Sequence, residues 1–230
     1  SLFVVLRAQI VRVILGSGSF DWSDTRLTAA ALAFFVISVV FQSLTLLFVR
    51  AYYSAGETLM PLSINITSTI ITIVCALILS ALFSASPFFV FFIESILRVS
   101  GIAGTEVLML PLAFAIGASF NGLCIMYFFR KKFPFRIRVL LKGFYRSFAT
   151  AVFVGVVAYF FLSVLVDVFN TQTLPGIFLQ GAVSGVLGLI AGYFLLKVLK
   201  SNELVEIEMA FSKKFRKLTG IIPPEQDVVS

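Results

Sequence analysis

The sequence predicts an all-α integral membrane protein, a polytopic helical bundle of about five full spans plus part of a preceding span. Three observations carry that prediction. Hydrophobic residues make up 60% of the chain and charged residues 13%, where an ordinary soluble domain is about 25% charged, and the mean hydropathy is +1.06. The apolar residues come in runs of roughly 20, the length that crosses the hydrocarbon core of a bilayer as a helix. Between the runs, Lys and Arg gather in alternate loops.

The opening stretch, SLFVVLRAQIVRVILG, places Leu2, Val5, Leu6, Ile10, Val13 and Ile14 on one helical face. It reads as the last part of an interrupted span of a longer protein, with Arg7 and Arg12 snorkelling toward headgroups. A turn-rich loop, GSGSFDWSDTR, follows, and its Trp22 suits the membrane interface. The first full span is expected at 27–49 and the second at 61–83. Residues 84–105 are too apolar for a plain loop, and a surface helix is expected near 87–99 with Glu94 and Arg98 paired at i,i+4. The third span is placed at 106–129, the fourth at 147–169 and the fifth at 174–199. The chain then groups as spans over 1–129, a basic loop at 130–146, two last spans at 147–199 and an amphipathic tail at 200–230.

Orientation follows from charge. Arg130, Lys131, Lys132, Arg136, Arg138, Lys142 and Arg146 crowd the loop between the third and fourth spans, which marks it as cytoplasmic. Alternation from that loop puts the 50–60 connector and the C-terminal tail inside. It puts Asp21, Asp24 and Asp167 outside. The net charge of +7 therefore belongs to juxtamembrane loops facing anionic headgroups, and nucleic acid is not an expected partner.

The chain lacks histidine, and its two cysteines, Cys75 and Cys124, lie in apolar runs, so neither a metal nor another cofactor is expected. No nucleophile–base set, paired carboxylates or phosphate-binding glycine loop is visible, which leaves an enzyme reading without chemistry. No Asp, Glu, Lys or Arg falls deep in a span, so ion coupling through these spans' own charges is not expected.

Two polar or small-residue patterns stand out. In the second span Asn65, Ser68, Thr69 and Thr72 share a helix face. A polar stripe in hydrocarbon must face protein or water, so the stripe is either interhelical glue or a cavity wall; Asn65, with Asn121 of the third span, is the stronger cavity candidate. In the fifth span Gly181, Gly185, Gly188 and Gly192 also share a face. They serve either close helix packing or a groove for a lipid tail.

The connector AYYSAGETLMP is the most specific stretch. It places Arg50, Tyr52, Tyr53 and Glu57 before Pro61, where a gating hinge and a capped hairpin with interfacial anchors explain the same residues. Tyr52, Tyr53, Ser54, Glu57, Thr58 and Pro61 resemble the hinge of the MurJ/MviN lipid II flippases, members of the multidrug/oligosaccharidyl-lipid/polysaccharide exporter superfamily. IVRVILGSGSFDWSDT and LAFAIGASFNGLCIMYFFRKK resemble further family segments and occur in family order. Leu59, Met60 and the apolar 84–105 segment depart from the family pattern.

The resemblance implies the C-terminal part of a fourteen-span bacterial inner-membrane flippase with a cytoplasmic C-terminus. It implies alternating access for an undecaprenyl-pyrophosphate-linked peptidoglycan precursor, lipid II. The first three spans would wall the cavity and the last two would form the lipid-tail groove. Membrane lipids and cell-wall synthesis proteins are the other implied partners. A polysaccharide-lipid or multidrug exporter of the same superfamily, and a non-transporting membrane scaffold, are the alternatives.

Overall fold

The computed structural model describes residues 1–16, 20–133, 137–166 and 173–198, and for 137–142 the backbone alone. The 200–230 tail, Asp167 and the centre of the basic loop, including the side chains of Arg136, Arg138 and Lys142, lie outside the described residues.

All regular structure among the described residues is helical, and five helices are long and apolar enough to cross a membrane. The helices are α1 (Leu2–Val5), α2 (Arg7–Leu15), α3 (Trp22–Ser54), α4 (Leu59–Ala85), α5 (Pro87–Leu97), α6 (Met109–Lys132), α7 (Ile137–Val164) and α8 (Leu174–Val198). A single 3-10 turn, Thr105–Leu108, leads into α6.

The ends of α3 show how local sequence sets a boundary. Asp21 caps its N-terminus, accepting a hydrogen bond from the Trp22 amide at 2.6 Å, while Asp24 accepts from the Asp21 amide at 3.0 Å. This reciprocal capping box starts the helix five residues before the expected span. At the other end Gly56 takes a left-handed φ of 77°. The Glu57 amide donates to the Tyr52 carbonyl and the Gly56 amide to the Tyr53 carbonyl, each at 3.0 Å. That pair of bonds is a Schellman closure. With 33 residues, α3 is about 50 Å long and overruns the hydrocarbon core at both ends.

Helix α6 packs along both α3 and α4, and α7 packs along α8. The short α1–α2 segment touches both groups, α2 through α3 and α8 and α1 through α7. Two apolar clusters close the α3/α4/α6 group. One gathers Ala30, Ile93, Leu97, Val99, Leu108 and Met109; the other gathers Phe48, Tyr52, Ile64 and Ile125.

Two local expectations are corrected. Arg12 does not snorkel away from the protein: its Nη1 donates to the Phe20 carbonyl at 3.0 Å and its guanidinium lies 5.8 Å from the centre of the Trp22 ring. It holds the start of α3 instead. Glu94 and Arg98 do not pair, because α5 ends at Leu97 and Arg98 turns into the left-handed region with φ 57°, which breaks the i,i+4 register. Glu94 Oε1 accepts from Thr105 Oγ1 at 2.7 Å, and the Arg98 carbonyl accepts from Arg26.

Candidate functional site

A polar cavity of about 440 Å³ lies between α3, α4 and α6. The four-residue stripe of α4, Asn65, Ser68, Thr69 and Thr72, lines it, and so does Asn121 of α6. The predicted face is brought together with the predicted asparagine: Asn121 Nδ2 donates to Asn65 Oδ1 at 2.8 Å. Sequence reasoning passed over Gln42 and Thr45, which α3 contributes to the same wall. Their spacing of three on an otherwise apolar helix, one turn beyond Ser38, was the available signal.

Helices α4 and α6 approach so closely here because of Gly117. A Cβ on Gly117 would fall 1.8 Å from Thr72 Oγ1, so only glycine fits. The contact is sealed by Ser68 Oγ, which donates to the Gly117 carbonyl at 2.8 Å. The threonines satisfy their hydroxyl protons within α4, Thr69 on the Asn65 carbonyl and Thr72 on the Ser68 carbonyl, each at 2.9 Å. Ser68 is buried glue, whereas Thr69 and the two asparagines stay open to the cavity.

Two of the connector residues, Tyr52 and Pro61, are placed differently from what the sequence suggested. Tyr52 is not a headgroup anchor. It is fully buried, its ring edge-on to Phe129 at 5.1 Å and to Phe133 at 6.3 Å between centroids, with its hydroxyl unpartnered. Tyr53 and Arg50 are exposed, which suits an interface. Pro61 is buried and is the third residue of α4, not its start. Glu57 forms an ion pair with Lys132 at 2.5 Å, tying the connector to the last turn of α6. The Tyr52 ring and the Glu57 carboxylate therefore hold the connector to α6 at two points.

The glycine stripe of α8 divides. Gly188 and Gly192 pack on α7, where added Cβ atoms would meet Ala158 Cβ at 3.1 Å and Val154 Cγ2 at 2.4 Å. Gly181 and Gly185 face α2 and the α1–α2 junction instead, where added Cβ atoms would lie 3.2 Å from Gln9 Cβ and Leu6 Cδ1. They line an almost wholly apolar groove of about 450 Å³ with Leu2, Ile10, Val13 and Ile177.

Apolar helices long enough to span a bilayer, with an open cleft partly lined by polar side chains between three of them, define a multi-pass membrane protein. The family model described as "Lipid II flippase MurJ" matches residues 1–180, and the chain belongs to that family. Membership makes it a lipid II flippase or a related membrane transporter. Neither the curated proteins nor the solved structures contain a match to it.

Proposed function

We propose that this chain forms part of an inner-membrane flippase that carries undecaprenyl-pyrophosphate-linked peptidoglycan precursor outward by alternating access. The single observation that carries the reading is the polar cavity between α3, α4 and α6 in a chain of this family. Open polar side chains amid hydrocarbon are costly unless water or a polar ligand visits them. In this reading Gln42, Thr45, Asn65, Thr69, Thr72 and Asn121 form one wall of the transport cavity. The α2–α8 groove at Gly181 and Gly185 receives part of the prenyl tail, while Gly188 and Gly192 hold α8 to α7. The doubly tethered connector of Tyr52 and Glu57 moves with α6 as one body, as rocking-bundle transport requires. The 50–60 connector and the C-terminus face the cytoplasm.

A second reading, a non-transporting scaffold, draws on the Asn65–Asn121 bond, in which two polar side chains satisfy each other. Single cysteines separate the two. With Cys75 and Cys124 replaced, cysteines at Asn65 and Thr72 should react with small water-soluble thiol reagents faster than cysteines at Ile66 and Ile73. Equal protection at all four sites would favour the scaffold.

A further inference from the structure

Helix α5 packs at the end of the bundle opposite Lys132, where α3 and α6 begin and α4 ends. The chain breaks from α4 at Ser86, which is extended with φ −124° and ψ 102° and caps the new helix, its Oγ accepting from the Phe89 amide at 3.4 Å. Pro87 then opens α5. At 11 residues the helix is about 16 Å long, too short to cross a bilayer core. Ile93 and Leu97, one turn apart, are buried with Ala30, Leu108 and Met109. The opposite face is apolar as well: Phe88, Phe91 and Ile96 are 78%, 68% and 61% exposed. A contiguous apolar face of this kind at a protein surface marks something that covers it.

Two arginines stand where α5 ends, and they say what that something is. Arg26, one turn into α3 from Trp22, donates to the Arg98 carbonyl, so residues far apart in the chain meet. Both are exposed, and neither forms an ion pair among the described residues. The nearby carboxylates have other tasks: Asp21 and Asp24 accept the amides of the α3 cap and Glu94 accepts from Thr105, while Glu106 is exposed on the 3-10 turn. Arg98 has a left-handed φ of 57°, the one non-glycine among the described residues to do so, whereas Gly101 and Gly104 fill the other left-handed positions of the same turn. The sequence therefore keeps a long cationic side chain where glycine would be less strained.

We propose that α5 lies in the outer-leaflet interface in the orientation given above, its Phe88, Phe91 and Ile96 face among the acyl chains, and that Arg26 and Arg98 hold the phosphate of an anionic phospholipid there. Guanidinium forks match phosphate oxygens, and an apolar helix face beside basic side chains is the pattern of an interfacial anchor. A zwitterionic choline lipid offers the same phosphate beside its own cation, which two arginines repel; a glycerol headgroup does not. The site shares no residue with the α3/α4/α6 cavity or the α2–α8 groove, and it does not depend on what the protein transports.

The test uses the full-length protein with its native cysteines replaced and a nitrobenzoxadiazole fluorophore on Phe91→Cys. The protein is placed in phosphatidylcholine vesicles doped with either phosphatidylglycerol or phosphatidylcholine that carries a nitroxide on the acyl chain near the headgroup. Both lipids should quench the fluorophore, the glycerol lipid about 3- to 10-fold more effectively, as expected for one or two basic residues meeting an anionic headgroup. Arg26→Gln with Arg98→Gly should abolish the preference and leave quenching by the choline lipid unchanged. Glutamine keeps an N–H for the carbonyl of residue 98, glycine suits the left-handed turn, and melting curves check folding. Arg98→Gly alone, used if the double variant does not fold, should lower the preference by about 2- to 5-fold. Equal quenching by both lipids in the unaltered protein, or a preference that survives in a folded variant, overturns the phosphate site. Absence of quenching by either lipid overturns the whole proposal and shows that α5 is covered by protein.

Discussion

Gly117 and Tyr52 show how much of this bundle depends on single side chains. At Gly117 the backbone of α6 sits against Thr72, and a methyl group has nowhere to go. Gly117→Ala is expected to destabilise by about 1–3 kcal/mol through overpacking, read as a lowered melting temperature in detergent. Adding Thr72→Gly should recover part of that loss, since the remaining Thr72 Cα lies at an ordinary 3.4 Å. No recovery would mean that the overlap with Thr72 is not the cause. Tyr52 makes the complementary case. Its ring is wholly buried against Phe129 and Phe133, but its hydroxyl has no partner. Tyr52→Ala should cost about 3–5 kcal/mol, as for other large aromatic truncations. Tyr52→Phe should be neutral or stabilising, because it removes an unsatisfied buried group. A large loss in the phenylalanine variant would show that the hydroxyl is bonded after all.

Among the elements, the α3–α4 connector is a fixed stop rather than a loose joint. The left-handed Gly56 and its two Schellman bonds end α3, and an ion pair holds Glu57 to α6. Nothing lies within 4 Å of an added Cβ at Gly56, so the cost of Gly56→Ala is backbone strain alone, about 1–2 kcal/mol. Gly56→Asn should lose less, since asparagine tolerates that region. Equal losses would place the cost elsewhere than in φ. Lys132→Gln should change stability by less than about 1 kcal/mol, because the pair is partly exposed, 43% at Lys132 and 35% at Glu57. Helix α8 has two halves with different neighbours, and enlarging its glycines should have two outcomes. Gly192→Leu drives into Val154 and lowers the melting temperature. Gly185→Leu meets only the flexible end of Leu6 and fills the apolar groove. It should weaken lipid II binding with a smaller loss of thermal stability. A variant that melts early yet binds normally would leave that groove a packing surface.

For the molecule as a whole, the ion pair between Glu57 and Lys132 puts the α3–α4 connector and the basic end of α6 at the same side. In the orientation proposed from the positive-inside rule, that side is the cytoplasmic one. Cysteine at Ala55 should then resist an impermeant thiol reagent in intact spheroplasts, while cysteine at Ser100, in the turn after α5, should be labelled. The reverse pattern would invert the topology.

Helix type, span number and the polar face of α4 could be read from sequence because each is a one-dimensional property. Apolar run length sets the spans, and a period of 3.6 puts Asn65, Ser68, Thr69 and Thr72 on one side. Partners could not be read this way, since they depend on which helix lies opposite. Burial of Tyr52 needs Phe129 and Phe133, Glu57 needs Lys132, and Arg12 needs the turn before α3. The glycine stripe has an even spacing in sequence, yet it faces α7 at one end and α1–α2 at the other. Sequence alone thus determined the membrane bundle and the polar and small faces it must hide. The tertiary structure decided which of those faces closed on a neighbour and which were left around a cavity, because close approach of two backbones, as at Gly117 and Thr72, is settled only when both helices are in place.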